Sequence, residues 1–402
     1  MPILKCEGIR TMTIDKAPQP FPRTEYLRRI SAVKAEMARR NIDALVVNFD
    51  RNIAWLTGYT ALSAYVPQGL VISMSEEEPT LILRQMDVVA GHFLTFLSPD
   101  KVVGYPEAYV GAPDKDGYDA IIDFLHEIGS GSGSMGLEFN DLPRRALDKF
   151  KARLPNARIS DFSTAIAWIR MEKSDLEISV MKQAAAITNA AMVRAFEVIR
   201  PGVREADAAA EIIGTLVRGV DGKVGTKLAN FFLNTSPRTG TCHIRWSEDV
   251  FRPGSHINIE FAGVRYAYTV PMARTLSIGE PSDLLKRVHD AQVAGFDAAM
   301  DVIRAGRTCS DVAQAIHRTL DKLGVKKESR CGYPVGIDWG ENTASFYEGD
   351  MTVLKPNMTF HLHLGNWIDD DFGVMVSDTI RITERGAEVL TDAPRKVIEL
   401  PV

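Results

Sequence analysis

Residues His256–Leu276 read HINIEFAGVRYAYTVPMARTL, the pattern of a β-hairpin. Ile257, Ile259 and Phe261 alternate with polar positions, the period of a half-buried strand, and Gly263 is expected to break the run. One carboxylate, Glu260, sits mid-strand among apolar neighbours. Carboxylates are seldom buried without a partner or a task. Glu260 is therefore either a functional group or half of a structural ion pair, for which Arg274 is the candidate. Further along stands Pro271, just ahead of the Arg274-Thr275 pair.

The chain of 402 residues is too long for one ordinary core, so two domains are expected. Hydrophobic residues make up 45% and charged residues 25%, the balance of a soluble globular protein. A net charge of -5 advertises no nucleic-acid surface. No apolar run approaches the roughly 18–20 residues of a membrane span. The N-terminal MPILKCEGIRTMTIDKAPQPFPR lacks the apolar core and cleavage site of a signal peptide. It is expected to form an arm over residues 1–20. Cys6, Cys242, Cys309 and Cys331 form no C-x-x-C pair, which suits reduced thiols in a cytoplasmic protein.

Helix periodicity covers Thr24–Arg40, and short buried strands are expected at Asp43–Asn48, Gly69–Ser73, Thr80–Arg84 and Ser134–Phe139. Arg51–Tyr59 reads as a helical turn ending at Gly58, and Tyr118–Ile128 as a helix. This alternation predicts an α/β first domain, residues 21–168. A new element begins at Lys173, where Ser174 and Glu177 have the spacing of a capping box. Its helix is expected to stop at Pro201-Gly202.

The sequence echoes itself. Val198-Ile199-Arg200-x-Gly202 matches Val302-Ile303-Arg304-x-Gly306, and Asp207 matches Asp311. Each copy reads helix, turn, helix, strands. A duplicated unit predicts two halves about a pseudo-two-fold axis, with a cleft between them.

Polar residues able to do chemistry fall in the strand-rich parts. His361 and His363 flank Leu362, so a strand would point both imidazoles to one face. They could hold a metal ion or donate hydrogen bonds in a cleft. His243 lies in the loop TSPRTGTCHIRW, a reasonable place for a proton carrier. Tyr333 belongs to the same group. Trp339 and Trp367 are available as apolar walls.

RNIAWLTGY, the KSDLEI helix start, the duplicated halves and PMARTLSIG together resemble the pita-bread enzymes, among them aminopeptidase P, prolidase and creatinase. The resemblance covers nearly the whole chain after residue 20. It implies an α/β (α+β) fold, with a creatinase-like N-terminal domain before a pseudo-two-fold catalytic domain, residues 169–402. Metal-dependent members use two Asp, one His and two Glu as ligands. The matching positions here are Glu260, Pro271, Tyr333, His363 and Ser377. The resemblance therefore points to the metal-free branch that includes creatinase and ectoine hydrolase. SRCGYPVGIDWGENT, LKPNMTFHLHLGNW and DAPRK are most similar to the latter.

What this resemblance implies is a metal-independent hydrolase of a C–N bond in a small nitrogenous solute. His243 and Glu260 would be catalytic. Tyr333, His361, His363, Trp339, Trp367 and Tyr65 would bind substrate, with no cofactor or metal. The implied assembly is a homodimer in which Arg51–Gln68 approaches the partner's site, with no membrane or nucleic-acid partner. Differences from ectoine hydrolases near Leu62, Ala64 and Pro67, and at Thr269-Val270-Pro271, leave the identity of the solute open. Two other readings remain: an Xaa-Pro dipeptidase with metal ligands His243, Glu260, His361 and His363, and a non-catalytic binding protein on the same scaffold.

Overall fold

The computed structural model describes residues 16–61, 63, 65–337 and 339–402. They fall into two compact units, one ending at Ile166 and the other starting at Ala167. Most of the expected arm, together with Leu62 and Ala64, lies outside the described residues.

The first unit contains α1 (Arg23–Arg39), β1 (Ala44–Val47), α2 (Asp50–Thr57), β2 (Gly69–Ser73), β3 (Thr80–Arg84), α3 (Val88–Leu94), β4 (Val102–Tyr105), α4 (Gly117–Glu127), β5 (Ser134–Leu137), α5 (Arg144–Arg153) and β6 (Arg158–Asp161). Its six strands form one mixed sheet in the order β4-β3-β2-β1-β5-β6. Helix α1 buries Tyr26, Ile30, Val33 and Met37, the stripe that its periodicity predicts. Helix α2 ends at Gly58, whose φ of 85° closes the C-terminus in the left-handed region. The fully buried Glu138 carboxylate accepts the Asn48 and Phe49 N–H groups at 2.7 and 2.8 Å, just ahead of α2.

Helix α6 (Ala165–Ile169) straddles the division. The second unit then runs through α7 (Asp175–Val198), α8 (Glu205–Arg218), β7 (Phe231–Thr235), β8 (His256–Arg265), β9 (Tyr268–Ile278), α9 (Asp283–Val302), α10 (Cys309–Lys322), β10 (Gly332–Pro334), β11 (Thr359–Asp369), β12 (Phe372–Ile382), β13 (Ala387–Val389) and β14 (Ile398–Leu400). The Ser174–Glu177 capping box forms as expected and starts α7. The strands order as β10-β11-β12-β9-β8-β7, with β13 beside β12 and β14 beside β9.

The internal echo is structural. Helices α7 and α8 with β7–β9 have their counterparts in α9 and α10 with β10–β12. Gly202 and Gly306 occupy the same turn at φ 82° and 85°. Asp207 and Asp311 both stand three residues after a helix N-cap, Arg204 and Thr308. The two halves of the sheet meet where β9 pairs with β12 through Ser377 and Ala273. These two residues are separated by the same interval as Gly202 and Gly306, so the pseudo-two-fold axis passes between equivalent positions. Side chains reinforce this short ladder: Thr275 Oγ1 accepts the Met375 N–H at 2.9 Å, and Thr379 Oγ1 donates to Pro271 O at 2.8 Å.

One face of the sheet is apolar. Ile257, Ile259, Phe261, Met272 and Leu276 pack against residues of α7 and α8, while Phe360, Leu362, Leu364, Val374 and Val376 pack against residues of α9 and α10. Each such side chain contributes about 1.5–3 kcal/mol when fully buried.

Gly263 does not break the hairpin. Strand β8 continues to Arg265, Gly263 pairs with Val270, and the turn falls at Tyr266–Ala267, both at positive φ. Glycine is required for a different reason. A Cβ there would lie 2.4 Å from Ala184 O and 2.8 Å from Thr188 N on α7.

Candidate active site

Sheet register decides which side chains share the face away from the helices. Directly opposed residues of antiparallel strands project to the same side. Phe232, Glu260, Ala273, Ser377 and His363 form one such row across β7, β8, β9, β12 and β11. His361 lies one pleat from His363 and is opposed by Tyr333 of β10. Pro271, one pleat from Ala273, joins the same face. Thus Glu260, Pro271, Tyr333, His363 and Ser377, the five positions matched to metal ligands by resemblance, all look to one side.

Glu260 is 4% exposed, and its carboxylate makes no hydrogen bond among the described residues. Its Oε1 lies 3.5 Å from His363 Nε2 and 3.9 Å from His361 Nδ1. The first distance falls within ion-pair range, yet it is not a directed hydrogen bond, and His363 Nε2 is buried without a partner. Burial pushes the Glu260 carboxyl up to about 8. Burial, helped by the field of Lys327, takes His363 down to about 3. His361 is held well below its ordinary value by burial and by the neighbouring His363. At neutral pH the three groups are therefore a mostly protonated carboxylic acid beside two neutral imidazoles.

His361 is fixed at both nitrogens. Nε2 lies 2.6 Å from Ser377 Oγ, which accepts the Ala273 N–H at 2.7 Å. Nδ1 lies 3.0 Å from the Tyr333 hydroxyl. Trp339 Nε1–H, a donor only, donates to the same hydroxyl oxygen at 2.9 Å. The buried Ser377 proton has an acceptor when it points to Nε2. His361 then carries its proton on Nδ1 and donates to Tyr333, leaving the Tyr333 proton to donate into the site. Burial holds that phenol neutral, well above its ordinary range.

Aromatic rings border the cluster. Trp367 lies parallel to His363, with ring centroids 6.3 Å apart and planes 8° apart. It lies close over Gly365 and Gly373: a Cβ on either would come within 2.9 or 2.6 Å of the indole. Phe232 meets Trp339 edge-on at 6.3 Å and His243 edge-on at 5.3 Å. His243 is exposed. It reaches the cluster through Phe232, the cross-strand partner of Glu260. No hydrogen bond joins His243 to Glu260 among the described residues. Its loop is tethered by Asn234 Nδ2, which donates to Thr241 O, and by Thr239 Oγ1, which donates to Asp371 O.

Tyr65 belongs to the first unit. It is 73% exposed, with the Arg84 guanidinium 5.6 Å from its ring centroid. The Glu260–Arg274 ion pair, one of the two readings of Glu260, does not form among the described residues. Arg274 projects to the helix side of the sheet, since it is one residue out of register with Ala273. There it pairs with Asp378 at 2.9 Å and donates to the Ala273 and Ser377 carbonyls at 2.8 and 2.6 Å. These contacts tie β9 to β12. Sequence reasoning gave no role to Phe232 or Ser377, because cross-strand neighbours emerge only from the register.

A metal ion needs several free lone pairs converging on one point. Glu260 and His363 Nε2 offer them. His361 does not, with one nitrogen protonated and the other accepting from Ser377, while Pro271 and Ser377 replace carboxylates. No group of three or more His, Cys, Asp or Glu among the described residues is placed to hold a metal ion. The donor set does not fit the two-metal arrangement. Nor is any described helix long and apolar enough to cross a membrane.

Residues 179–384 match the model of metallopeptidase family M24, and residues 29–172 match the creatinase/prolidase N-terminal domain. An uncharacterized hydrolase/peptidase from Sinorhizobium fredii is 58% identical, covering 96% of this chain and 99% of that protein. The ectoine hydrolase of Halomonas elongata is 34% identical, covering 94% and 98%. Among solved structures, dipeptidase PepE from Mycobacterium ulcerans superposes with a TM-score of 0.81 at 22% identity, covering 95% of this chain and all of that one. X-Pro aminopeptidase from Thermotoga maritima gives 0.79 at 20% identity, covering 93% and 99%. The chain belongs to metallopeptidase family M24, as a hydrolase of the pita-bread fold carrying a creatinase/prolidase N-terminal domain.

Proposed function

We propose that the protein hydrolyses a C–N bond of a small amidine or amide solute without a metal ion, as an ectoine-hydrolase-like enzyme. The observation that carries this is the face holding Glu260, Pro271, Tyr333, His363 and Ser377, which offers one carboxylate where a two-metal site needs four. The similarity to ectoine hydrolase along nearly all of both chains supports the substrate class.

Glu260 is the central group. Activating water and attacking the amidine carbon both require its ionised form. Burial alone raises its pKa, so a cationic amidinium placed beside it would favour ionisation. The Tyr333 hydroxyl, oriented by Trp339 and His361, donates to the negative charge or lone pair that develops on the attacked group. His363 Nε2, buried and unpaired, orients the substrate or the attacking water. His243 at the rim carries protons between the site and solvent and delivers one to the leaving nitrogen. Trp339 and Trp367 exclude water and shape the pocket.

The working assembly in this reading is a cytoplasmic homodimer, with the Arg51–Gln68 segment and its exposed Tyr65 near the partner's site. Light scattering should return twice the chain mass. A monomer at micromolar concentration would remove this part.

The first experiment is an NMR time course of purified protein with ectoine in excess chelator. Ring opening to an acetylated diaminobutyrate is the expected result. Turnover only after metal addition would overturn the metal-free reading and restore the dipeptidase alternative.

A further inference from the structure

Three charged side chains that the mechanism does not use are buried together. Glu341 is flanked by Lys173 and Arg170, and none of the three is more than 4% exposed. Lys173 Nζ donates to Glu341 Oε2 at 3.1 Å and to Met171 O at 3.2 Å. Arg170 Nη1 lies 3.5 Å from Glu341 Oε1, and neither atom makes a hydrogen bond among the described residues. Lys173 is therefore the directed partner and Arg170 the looser one. A buried ion pair adds little net stability, because desolvation offsets its attraction. What it supplies is one fixed geometry, when both of its ends are attached.

Both ends are attached here. Lys173 precedes the Ser174 N-cap of α7, and its N–H donates to Asn357 O at 3.2 Å, just ahead of β11. The Glu341 N–H donates to Pro334 O at 3.0 Å, which turns the chain after β10 back onto that strand. Gly336 lies inside this loop. A Cβ there would come within 2.8 Å of Glu341 Oε1 and 2.9 Å of Lys173 Cε, so only glycine lets the pair press on the backbone. The carbonyl of the same glycine accepts the Thr269 N–H of β9 at 2.8 Å. Trp339 stands two residues before Glu341. Its indole N–H reaches the Tyr333 hydroxyl at 2.9 Å. That bond, with the one from His361, leaves the Tyr333 proton to point into the site. Edge-on contacts with Phe232 and His361, at 6.3 and 6.2 Å, border the indole but do not aim its N–H.

We propose that the Lys173–Glu341 pair is a clasp that sets the direction of the Tyr333 proton by holding Trp339, so that Lys173 and Glu341 are positioning residues for the reaction. The effect on turnover rests on the hydrolase reading above, whereas the hold on Trp339 does not. Neither residue touches the groups gathered around Glu260. They act through the loop, the indole and the phenol in turn.

The test uses the full-length protein and two measurements. The first needs no substrate. NMR of isotopically labelled tryptophan side chains follows the indole N–H of each of the five tryptophans, and Trp339→Phe assigns the peak. In Lys173→Met the Trp339 indole N–H should exchange with water about ten-fold or more faster than in wild type, while the Trp246 and Trp367 peaks stay in place. The second is kinetics with ectoine. Lys173→Met should lower kcat about ten-fold, with KM within a factor of about two. Placed on Trp339→Phe, the same substitution should lower kcat by less than about two-fold, because the group through which it acts is gone. A merely structural role predicts the full loss in both backgrounds. If Lys173→Met fails to fold, Glu341→Gln, which keeps the side-chain shape and removes the charge, is read by the same two measurements. Unchanged Trp339 exchange in a folded variant, or an equal loss of kcat in both backgrounds, overturns the clasp. Faster Trp339 exchange in a protein that does not turn over ectoine keeps the clasp and overturns the ectoine-hydrolase reading instead.

Discussion

The Ser377 hydroxyl stands 2.6 Å from Nε2 of His361 while accepting the N–H of Ala273. One serine thus joins the two halves of the sheet at their seam and sets the tautomer of a histidine in the site. Ser377→Ala would leave the Ala273 N–H without its acceptor, at a cost of about 1–3 kcal/mol. It would also free His361 to invert its tautomer and withdraw its proton from Tyr333. Turnover should fall by roughly 10-fold or more, with KM little changed. Kinetics and thermal denaturation of the variant check this, and full kcat in a folded variant would remove Ser377 from the positioning role.

Glu260→Gln should abolish turnover, a loss on the order of 10³-fold or more if the carboxylate activates water or attacks carbon. In the wild type, kcat/KM should rise with pH and level off above about 8, where Glu260 ionises in the free enzyme. Stability moves the other way. The native carboxyl keeps its proton up to about 8, whereas the unfolded chain loses it near the ordinary carboxylate value. The native state therefore binds more protons between these limits, and the contribution of this group falls as pH rises across them. Glu260→Gln should accordingly be more stable than wild type at pH 8. Urea denaturation at pH 5 and pH 8 tests the sign, and a variant less stable at pH 8 would contradict it.

His243→Ala should lose roughly 10²–10⁴ in turnover if the imidazole carries the proton. Because His243 is exposed, its melting temperature should stay close to wild type. Circular dichroism and the NMR assay together decide, and near-wild-type turnover would leave the rim histidine without a catalytic role.

Acid should destabilise the second unit through its buried histidines. Burial lowers His256 and His289 to about 4, and both lie in the sheet-and-helix core. In the unfolded chain they protonate near 6.5. The unfolded state then binds more protons below that pH, so stability is full above about 6.5 and falls as pH drops toward 4. Each histidine contributes up to about 1.4 kcal/mol per pH unit. Glu260 and Glu138, both raised, act in the opposite sense over part of this range. His289→Phe should therefore flatten the acid limb of a urea midpoint-against-pH curve. An unchanged slope would show that His289 is not the titrating group.

Much of this protein could be read from local pattern. Turn chemistry and periodicity placed α1, α2 with Gly58, strands β2 and β3, and the Ser174–Glu177 start of α7, because each depends on residues a few positions apart. The internal echo placed the second helix pair for the same reason, since a repeat preserves its caps and turns. Glu260 was marked by one carboxylate in an apolar strand, and His361 with His363 by strand period.

What the sequence could not decide depends on contacts between distant segments. Gly263 reads as a break until α7 is seen to approach its backbone. Arg274 reads as the partner of Glu260 until the register turns it to the opposite face, toward Asp378. Ser377 gains its meaning only from the ladder that sets it against Ala273. Sequence alone determined the elements, the repeat and the residue types available for chemistry, because these are properties of neighbouring residues. Tertiary structure decided which groups share the face, which are charged and which are held, because burial and cross-strand register are set by the whole sheet.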